Sequence, residues 1–163
     1  MIMKLFTPKH LCRAAIVAAM YCALTLATAP FAFGPLQLRP AEALTALPLL
    51  FFDAIPGLFI GCIIANLLSP FGILDVIFGS LTTLLAAILT RVCRKKPLFA
   101  LAFPVVLNAL ILPIVWLFAG GESAFFINVF SIFITQTAFI YGLGYPLFRA
   151  LKKSQNTMPF LQE

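Results

Sequence analysis

Charge is scarce in this chain. Asp, Glu, Lys and Arg together make up only 10% of its 163 residues, against about a quarter in an ordinary soluble domain. Five residues are acidic and one is histidine. So few charges cannot furnish a water-facing shell, which excludes a soluble globular fold. No P-loop, catalytic triad or metal-ligand spacing occurs either. Nothing in the chain is therefore laid out to cradle nucleotide phosphates, activate a nucleophile or hold a metal, and no enzymatic activity is expected. The four cysteines, Cys12, Cys22, Cys62 and Cys93, form no CxxC pair and lie in or beside apolar stretches. They read as small hydrophobes, not as disulfide partners or metal ligands. No internal repeat is evident.

What is abundant is apolar surface. Hydrophobic residues make up 63% of the chain and the mean hydropathy is +1.09, the composition of an integral membrane protein. A helical span needs roughly 20 apolar residues, so six apolar segments with tight loops consume nearly the whole length. Ten of the eleven Lys and Arg residues fall at three places: Lys4, Lys9 and Arg13 before the first segment; Arg91, Arg94, Lys95 and Lys96 after the fourth; Arg149, Lys152 and Lys153 after the sixth. Basic residues of short loops stay cytoplasmic. The expectation is an all-α membrane domain over residues 1–153 with six transmembrane helices and both termini cytoplasmic, followed by a flexible cytoplasmic tail over 154–163. The net charge of +6 then suits anionic lipid headgroups and gives no reason to expect nucleic acid. Residues 1–29 imitate a signal peptide, but the run Ala14 to Phe33 exceeds an h-region of about 7–15 residues and more membrane segments follow it.

The six spans are expected at about Cys12–Phe33, Ala41–Phe52, Ile55–Leu68, Leu74–Thr90, Leu98–Ala119 and Ala124–Phe148. The second is short: at about 1.5 Å per residue it cannot cross a bilayer, and it has to be packed against protein. Pro104 and Pro113 imply kinks in the fifth. Span 1 carries Ala15, Ala19, Ala23 and Ala27 at four-residue intervals, with Ala14 and Ala18 beside them. Such small faces let helices approach closely, either within the bundle or against another membrane protein. Gly57, Gly61 and Ala65 form a second stripe, expected to meet neighbouring spans.

Polar residues at membrane depth are functional candidates, and topology sorts them. Gln37, Arg39, Glu42, Asn66, Asp75 and Glu122 fall toward the outer side, and Asp53 toward the other. Glu42, Asp53, Asp75 and Glu122 all also sit near expected helix starts, where a carboxylate can cap. Glu42 is distinguished by Arg39 and Gln37 close before it and Pro40 opening the helix between them. These three either address a polar heterocycle, Glu42 accepting N–H donors, or close into a local Arg39–Glu42 ion pair. Asn108, Asn128 and Gln136 lie among apolar residues, where they join helices by hydrogen bonds or face a ligand. Trp116 and Tyr141 serve as interfacial anchors or as a stacking wall.

Four stretches carry a family resemblance: FGPLQLRPAEALTALP from Phe33 to Pro48, AIPGLFIGCIIANLLS from Ala54 to Ser69, DVIFGSLTTLLAA from Asp75 to Ala87 and VLNALILP from Val106 to Pro113. Together they resemble the queuosine-precursor transporter family called QueT, the substrate-binding S components of energy-coupling factor (ECF) transporters. The resemblance implies a six-helix subunit of the cell membrane that captures a deazapurine, usually 7-aminomethyl-7-deazaguanine, from outside. Gln37, Arg39, Glu42, Asn66, Asp75, Asn108, Glu122 and Gln136 are its candidate substrate-binding residues. It also implies that the face formed by Ala14, Ala15, Ala18, Ala19 and Ala23 docks on a transmembrane scaffold subunit, and that two partner ATPase subunits consume the ATP, leaving this chain without a cofactor. One position departs from the family pattern: where an acidic residue is common in the last helix, this chain has Gln136. A cationic amine favours a carboxylate, which Glu42, Asp75 or Glu122 could supply; a neutral Gln136 suits queuine or another relative. Two rivals differ in class. A stand-alone transporter would couple a proton through Glu42 or Asp75, and a membrane-embedded enzyme would turn over substrate without moving it.

Overall fold

The computed structural model describes residues 7–33, 37–118 and 124–155. Among these residues the regular structure is helical throughout, with no strand. Five α-helices are named here in chain order: α1 (Pro8–Ala27), α2 (Ala54–Asn66), α3 (Gly72–Val92), α4 (Pro97–Phe118) and α5 (Phe125–Gln155). Between α1 and α2 lies a 3₁₀ helix, Pro40–Leu49. Helices α1, α3, α4 and α5 are each long and apolar enough to cross a membrane, and α2 is a shorter apolar helix.

The distribution of side chains is the reverse of a soluble protein's. Phe118, Phe126 and Val92 are 81%, 84% and 72% exposed, whereas Arg39, Glu42, Asn66, Asp75, Asn108 and Gln136 are each at most 2% exposed. Apolar groups facing outward and polar groups facing inward are what a hydrocarbon surrounding demands.

The second segment, expected as a short α-helix over Ala41–Phe52, is instead the 3₁₀ helix Pro40–Leu49. Two prolines account for it. Pro40 starts the segment, and Pro48 inside it has no N–H to return to an α-type carbonyl. The tighter helix also reaches farther, about 2.0 Å per residue against about 1.5 Å. Every residue from Ala41 to Leu49 is buried, enclosed by α1, α2, α3 and α5, so this element is held by protein as its length requires. Its small side chains admit α5: a Cβ added at Gly144 would lie 2.7 Å from the Ala43 carbonyl oxygen. At that point α5 widens into a π-helical turn, Ile140–Gly144.

Helices α1 and α2 meet through glycine. A Cβ at Gly57 would come within 2.6 Å of the Ala14 carbonyl oxygen, and one at Gly61 within 2.8 Å of that of Ala18. Gly57 and Gly61 of the second stripe thus pack on a neighbouring span, which splits the alanines of α1. Ala14 and Ala18 lie over α2, and Ala15, Ala19 and Ala23 are exposed.

In α4 the helix is interrupted at Leu101 and runs on through Pro113. Pro104 cannot donate to the carbonyl of Ala100 four residues back. Thr90 Oγ1 of α3 does so instead, at 3.3 Å. The last helix extends through Gln155, beyond both the expected end at Phe148 and the tail boundary at 154; residues 156–163 lie outside the described residues.

Two expectations at the basic end are corrected. Arg13, grouped by sequence with the loop cations, lies inside α1 and is 6% exposed. Asp53 occupies the N-cap position of α2 without making a cap hydrogen bond. Its Oδ2 accepts from Arg13 Nε at 2.7 Å and lies 3.2 Å from His10 Nδ1, with the Arg13 guanidinium 4.9 Å from the centroid of Phe51. A buried cation makes a stronger partner for a carboxylate than the neutral amides of a helix start.

The α1–α2 contact sets a testable limit. Gly57→Ala forces a methyl against backbone and is expected to cost about 1–3 kcal/mol, as overpacking does, seen as a lowered unfolding midpoint in detergent. Gly142→Ala, where the added Cβ meets nothing within 4 Å, leaves the midpoint unchanged or higher.

Candidate functional site

The buried polar residues form a connected network in which six elements take part. Glu42 sits in the first turn of the 3₁₀ helix. Tyr21 Oη of α1 donates to its Oε1 at 2.5 Å, and Asn108 Nδ2 of α4 donates to its Oε2 at 3.3 Å. Asn108 Nδ2 also lies 3.4 Å from Gln136 Oε1 of α5. Arg39, just before the 3₁₀ helix, donates from Nη2 to Asn66 Oδ1 of α2 at 2.8 Å. Its guanidinium lies 5.5 Å from the ring centroid of Phe33 and 6.0 Å from that of Tyr21. Asn66 in turn donates from Nδ2 to the backbone carbonyl of Asp75 at 3.1 Å and approaches Cys62 Sγ at 3.4 Å. Cys62 Sγ lies 3.4 Å from Thr83 Oγ1 of α3.

The local Arg39–Glu42 pair allowed by the sequence does not form. Arg39 is still extended, with φ −113° and ψ 88°, so its side chain leaves the helix toward α2 while that of Glu42 points to α1 and α4. Each ion finds partners far away in sequence.

Several buried atoms of this region lack a protein partner: both amide atoms of Gln37, Arg39 Nε, both carboxylate oxygens of Asp75, Ser80 Oγ and Trp116 Nε1. Buried polar groups are almost always hydrogen-bonded. Open atoms also occur in the Arg13–Asp53 pair, at Nη1 and Oδ1, but they are more numerous here. Gln37 adds a strained backbone, with φ +42° in a non-glycine residue that is 1% exposed; strain of this kind concentrates at functional sites. Asp75 opens a π-helical turn, Asp75–Gly79, and does not act as a cap. A Cβ at Gly79 would lie 2.8 Å from Asn66 Nδ2 and 3.2 Å from Asp75 Oδ1, so glycine here is what leaves those two side chains their place.

An aromatic wall lies on the same side. Phe71 and Trp116 stack with centroids 4.5 Å apart and planes 13° apart. Trp116 is 4% exposed, which removes it as an interfacial anchor. Tyr141 instead ties α5 to the start of α4, its Oη donating to the Leu98 carbonyl at 2.7 Å.

Of the sequence candidates, Arg39, Glu42, Asn66, Asp75, Asn108 and Gln136 share this network, and Gln37 is buried near it in the chain. Glu122 lies outside the described residues. Asn128 is partly exposed and takes no part. The sequence reading omitted Tyr21, Cys62, Thr83, Gly79 and Ser80. Tyr21 had a usable signal: Val17, Ala18, Tyr21 and Thr25, all buried, recur at helical spacing and mark the inner face of α1. Among the described residues no three His, Cys, Asp or Glu side chains gather as a metal site. The arrangement suits a flat polar heterocycle, with aromatic rings for its faces, carboxylates for its N–H donors and a guanidinium or amide for a carbonyl.

The family model described as QueT transporter matches residues 11–153 of the chain. No curated protein and no solved structure matches it.

The network makes Tyr21 a structural partner of the carboxylate. Tyr21→Phe leaves Glu42 Oε1 without its donor and is expected to lower stability by about 1.5–3 kcal/mol, the value of a hydrogen bond to a charged group. An unfolding midpoint equal to that of the parent would show that Glu42 does not depend on Tyr21.

Proposed function

Because the chain belongs to the QueT transporter family, a family of membrane transporters and not of enzymes, we propose that it is the S component of an ECF-type importer. In this reading it is a cell-membrane protein with six membrane-embedded helices and both termini in the cytoplasm, and it binds a queuosine precursor, 7-aminomethyl-7-deazaguanine or a related deazapurine. The observation that carries it is the network just described: polar groups sealed inside an apolar bundle with several of their atoms open. The deazaguanine edge offers ring and exocyclic N–H donors to Glu42, whose oxygens keep lone pairs beyond those used by Tyr21 and Asn108. Its carbonyl accepts from Arg39 Nε or the Gln37 amide, and the Phe71–Trp116 pair provides an aromatic face.

In this reading transport requires partner subunits that use the ATP. The exposed alanines of α1 supply a surface for one. Ala15, Ala19 and Ala23 line an apolar groove with Leu11, Ala14, Ala18, Cys22 and Leu26 of the same helix and Ile60 and Ile64 of α2. A groove of small residues lets a foreign helix approach closely where no hydrophobic force separates lipid from protein. We assign it to the transmembrane scaffold subunit, which two ATPase subunits drive.

Calorimetric titration of the purified chain with 7-aminomethyl-7-deazaguanine, queuine and guanine tests the substrate. At least one is expected to bind well below the millimolar range, and binding of none would overturn the reading. Glu42→Gln is expected to weaken binding by about 10- to 100-fold, the worth of one charge-assisted hydrogen bond. Ala19→Phe is expected to abolish ATP-driven uptake in proteoliposomes containing the partner subunits while leaving binding intact. Uptake by the chain alone, driven by a proton gradient, would favour a stand-alone transporter instead.

A further inference from the structure

The carboxylates of the site differ in how they are satisfied. Both oxygens of Glu42 already accept protein donors, Tyr21 Oη and Asn108 Nδ2. Gln136 is neutral, and its Oε1 faces Asn108. Asp75 is 0% exposed, and neither of its carboxylate oxygens has a hydrogen-bond partner. The one guanidinium of the network lies close enough for its charge to act on both Asp75 and Glu42, yet it gives Asp75 no hydrogen bond. Arg39 Nη2 is engaged by Asn66 Oδ1, and Asn66 turns its own amide to the backbone carbonyl of Asp75, not to the carboxylate. The network's described residues hold one formal cation, Arg39, and two formal anions, Glu42 and Asp75. A carboxylate away from water without donors is among the costliest groups to bury.

The backbone around Asp75 places it deliberately. The π-helical turn inserts a wider loop into α3, and Gly79 clears the space that the Asp75 and Asn66 side chains occupy. Bonds in such a turn run from i to i+5, which puts Ser80, whose buried hydroxyl is also open, one wide turn from Asp75. An ammonium group carries three donors, matching two carboxylate oxygens and one hydroxyl.

We propose that Asp75 is the counter-ion for a cationic group of the ligand, and that it makes the site prefer an amine-bearing heterocycle over the uncharged ring. This rests on the deazapurine reading above. Glu42 and Asp75 then have separate tasks: Glu42 takes the ring edge common to all deazaguanines, and Asp75 takes the substituent that distinguishes them.

Titration of the purified full chain with 7-aminomethyl-7-deazaguanine and with 7-deazaguanine, which lacks the amine, tests the assignment. The parent protein is expected to bind the amine at least about tenfold more tightly. Asp75→Asn should weaken the amine by about 10- to 100-fold, the range for charge-assisted contacts, and change 7-deazaguanine by less than about threefold, so that the preference disappears. Glu42→Gln should weaken both. Asp75→Ser, smaller and uncharged, should repeat the loss, and melting curves of both Asp75 variants without ligand should show midpoints at or above the parent's. Equal weakening of both ligands by Asp75→Asn, or an undiminished preference for the amine, would overturn the assignment. Benzylamine and benzyl alcohol, compared by thermal shift, separate the two ideas. If neither deazaguanine binds yet benzylamine stabilises the parent and not Asp75→Asn, the deazapurine reading fails and the counter-ion stands; if no amine preference appears in either pair, the counter-ion fails.

Discussion

A guanidinium and a carboxylate placed inside an apolar bundle must be met by partners at fixed positions, and the architecture follows from meeting that demand. Arg39 and Glu42 lie three residues apart yet bind in different directions, Arg39 to Asn66 of α2 and Glu42 to Tyr21 of α1 and Asn108 of α4. Lipid tails are as apolar as leucine, so the bundle is not held together by expulsion of water. Polar bonds of this kind fix how far each helix slides along its neighbours, and the glycine contacts of α2 on α1 fix how closely they lie.

Much of this was legible in the sequence because apolar runs and scarce charges are one-dimensional signals. Helices α3, α4 and α5 lie near their expected positions, and Arg39, Glu42, Asn66, Asp75, Asn108 and Gln136 stood out because a polar side chain in an apolar run has few reasons to be there. What was not legible depends on three-dimensional context. Every residue from Ala41 to Leu49 is buried, so no periodicity distinguishes a 3₁₀ from an α-helix within this segment. Arg13 resembles a loop cation until Asp53, distant in sequence, is brought against it. The π-helical turns at Asp75–Gly79 and Ile140–Gly144 end on glycines that lie against Asn66 and Ala43 of other elements, contacts a local reading cannot contain. Tyr21 lies on the buried face of α1 with Val17 and Thr25, whereas the alanine repeat conspicuous in the sequence runs along the exposed one.

Helix α1 serves two faces with one composition. Small residues toward α2 let two backbones nearly touch, while small residues on the outer side leave a groove bounded by Leu11, Leu26, Ile60 and Ile64. The same amino acid thus does opposite things, removing space on one side and preserving it on the other. Ala14 and Ala18 take part in both, facing Gly57 and Gly61 while also lining the groove. The inner face carries Tyr21 as well, so the helix that presents the outward groove also supports the carboxylate of the site.

The bond from Thr90 to the Ala100 carbonyl ties the fate of one helix to the composition of another. Proline at 104 removes the donor this carbonyl would have had within α4, and the hydroxyl of α3 stands in for it. Were position 104 occupied by any residue carrying an amide hydrogen, the helix would satisfy itself and position 90 would be free to take valine or alanine. With proline in place, those same residues would strand an acceptor in the interior. The choice of amino acid at position 90 is therefore tied to that at position 104 in a different helix.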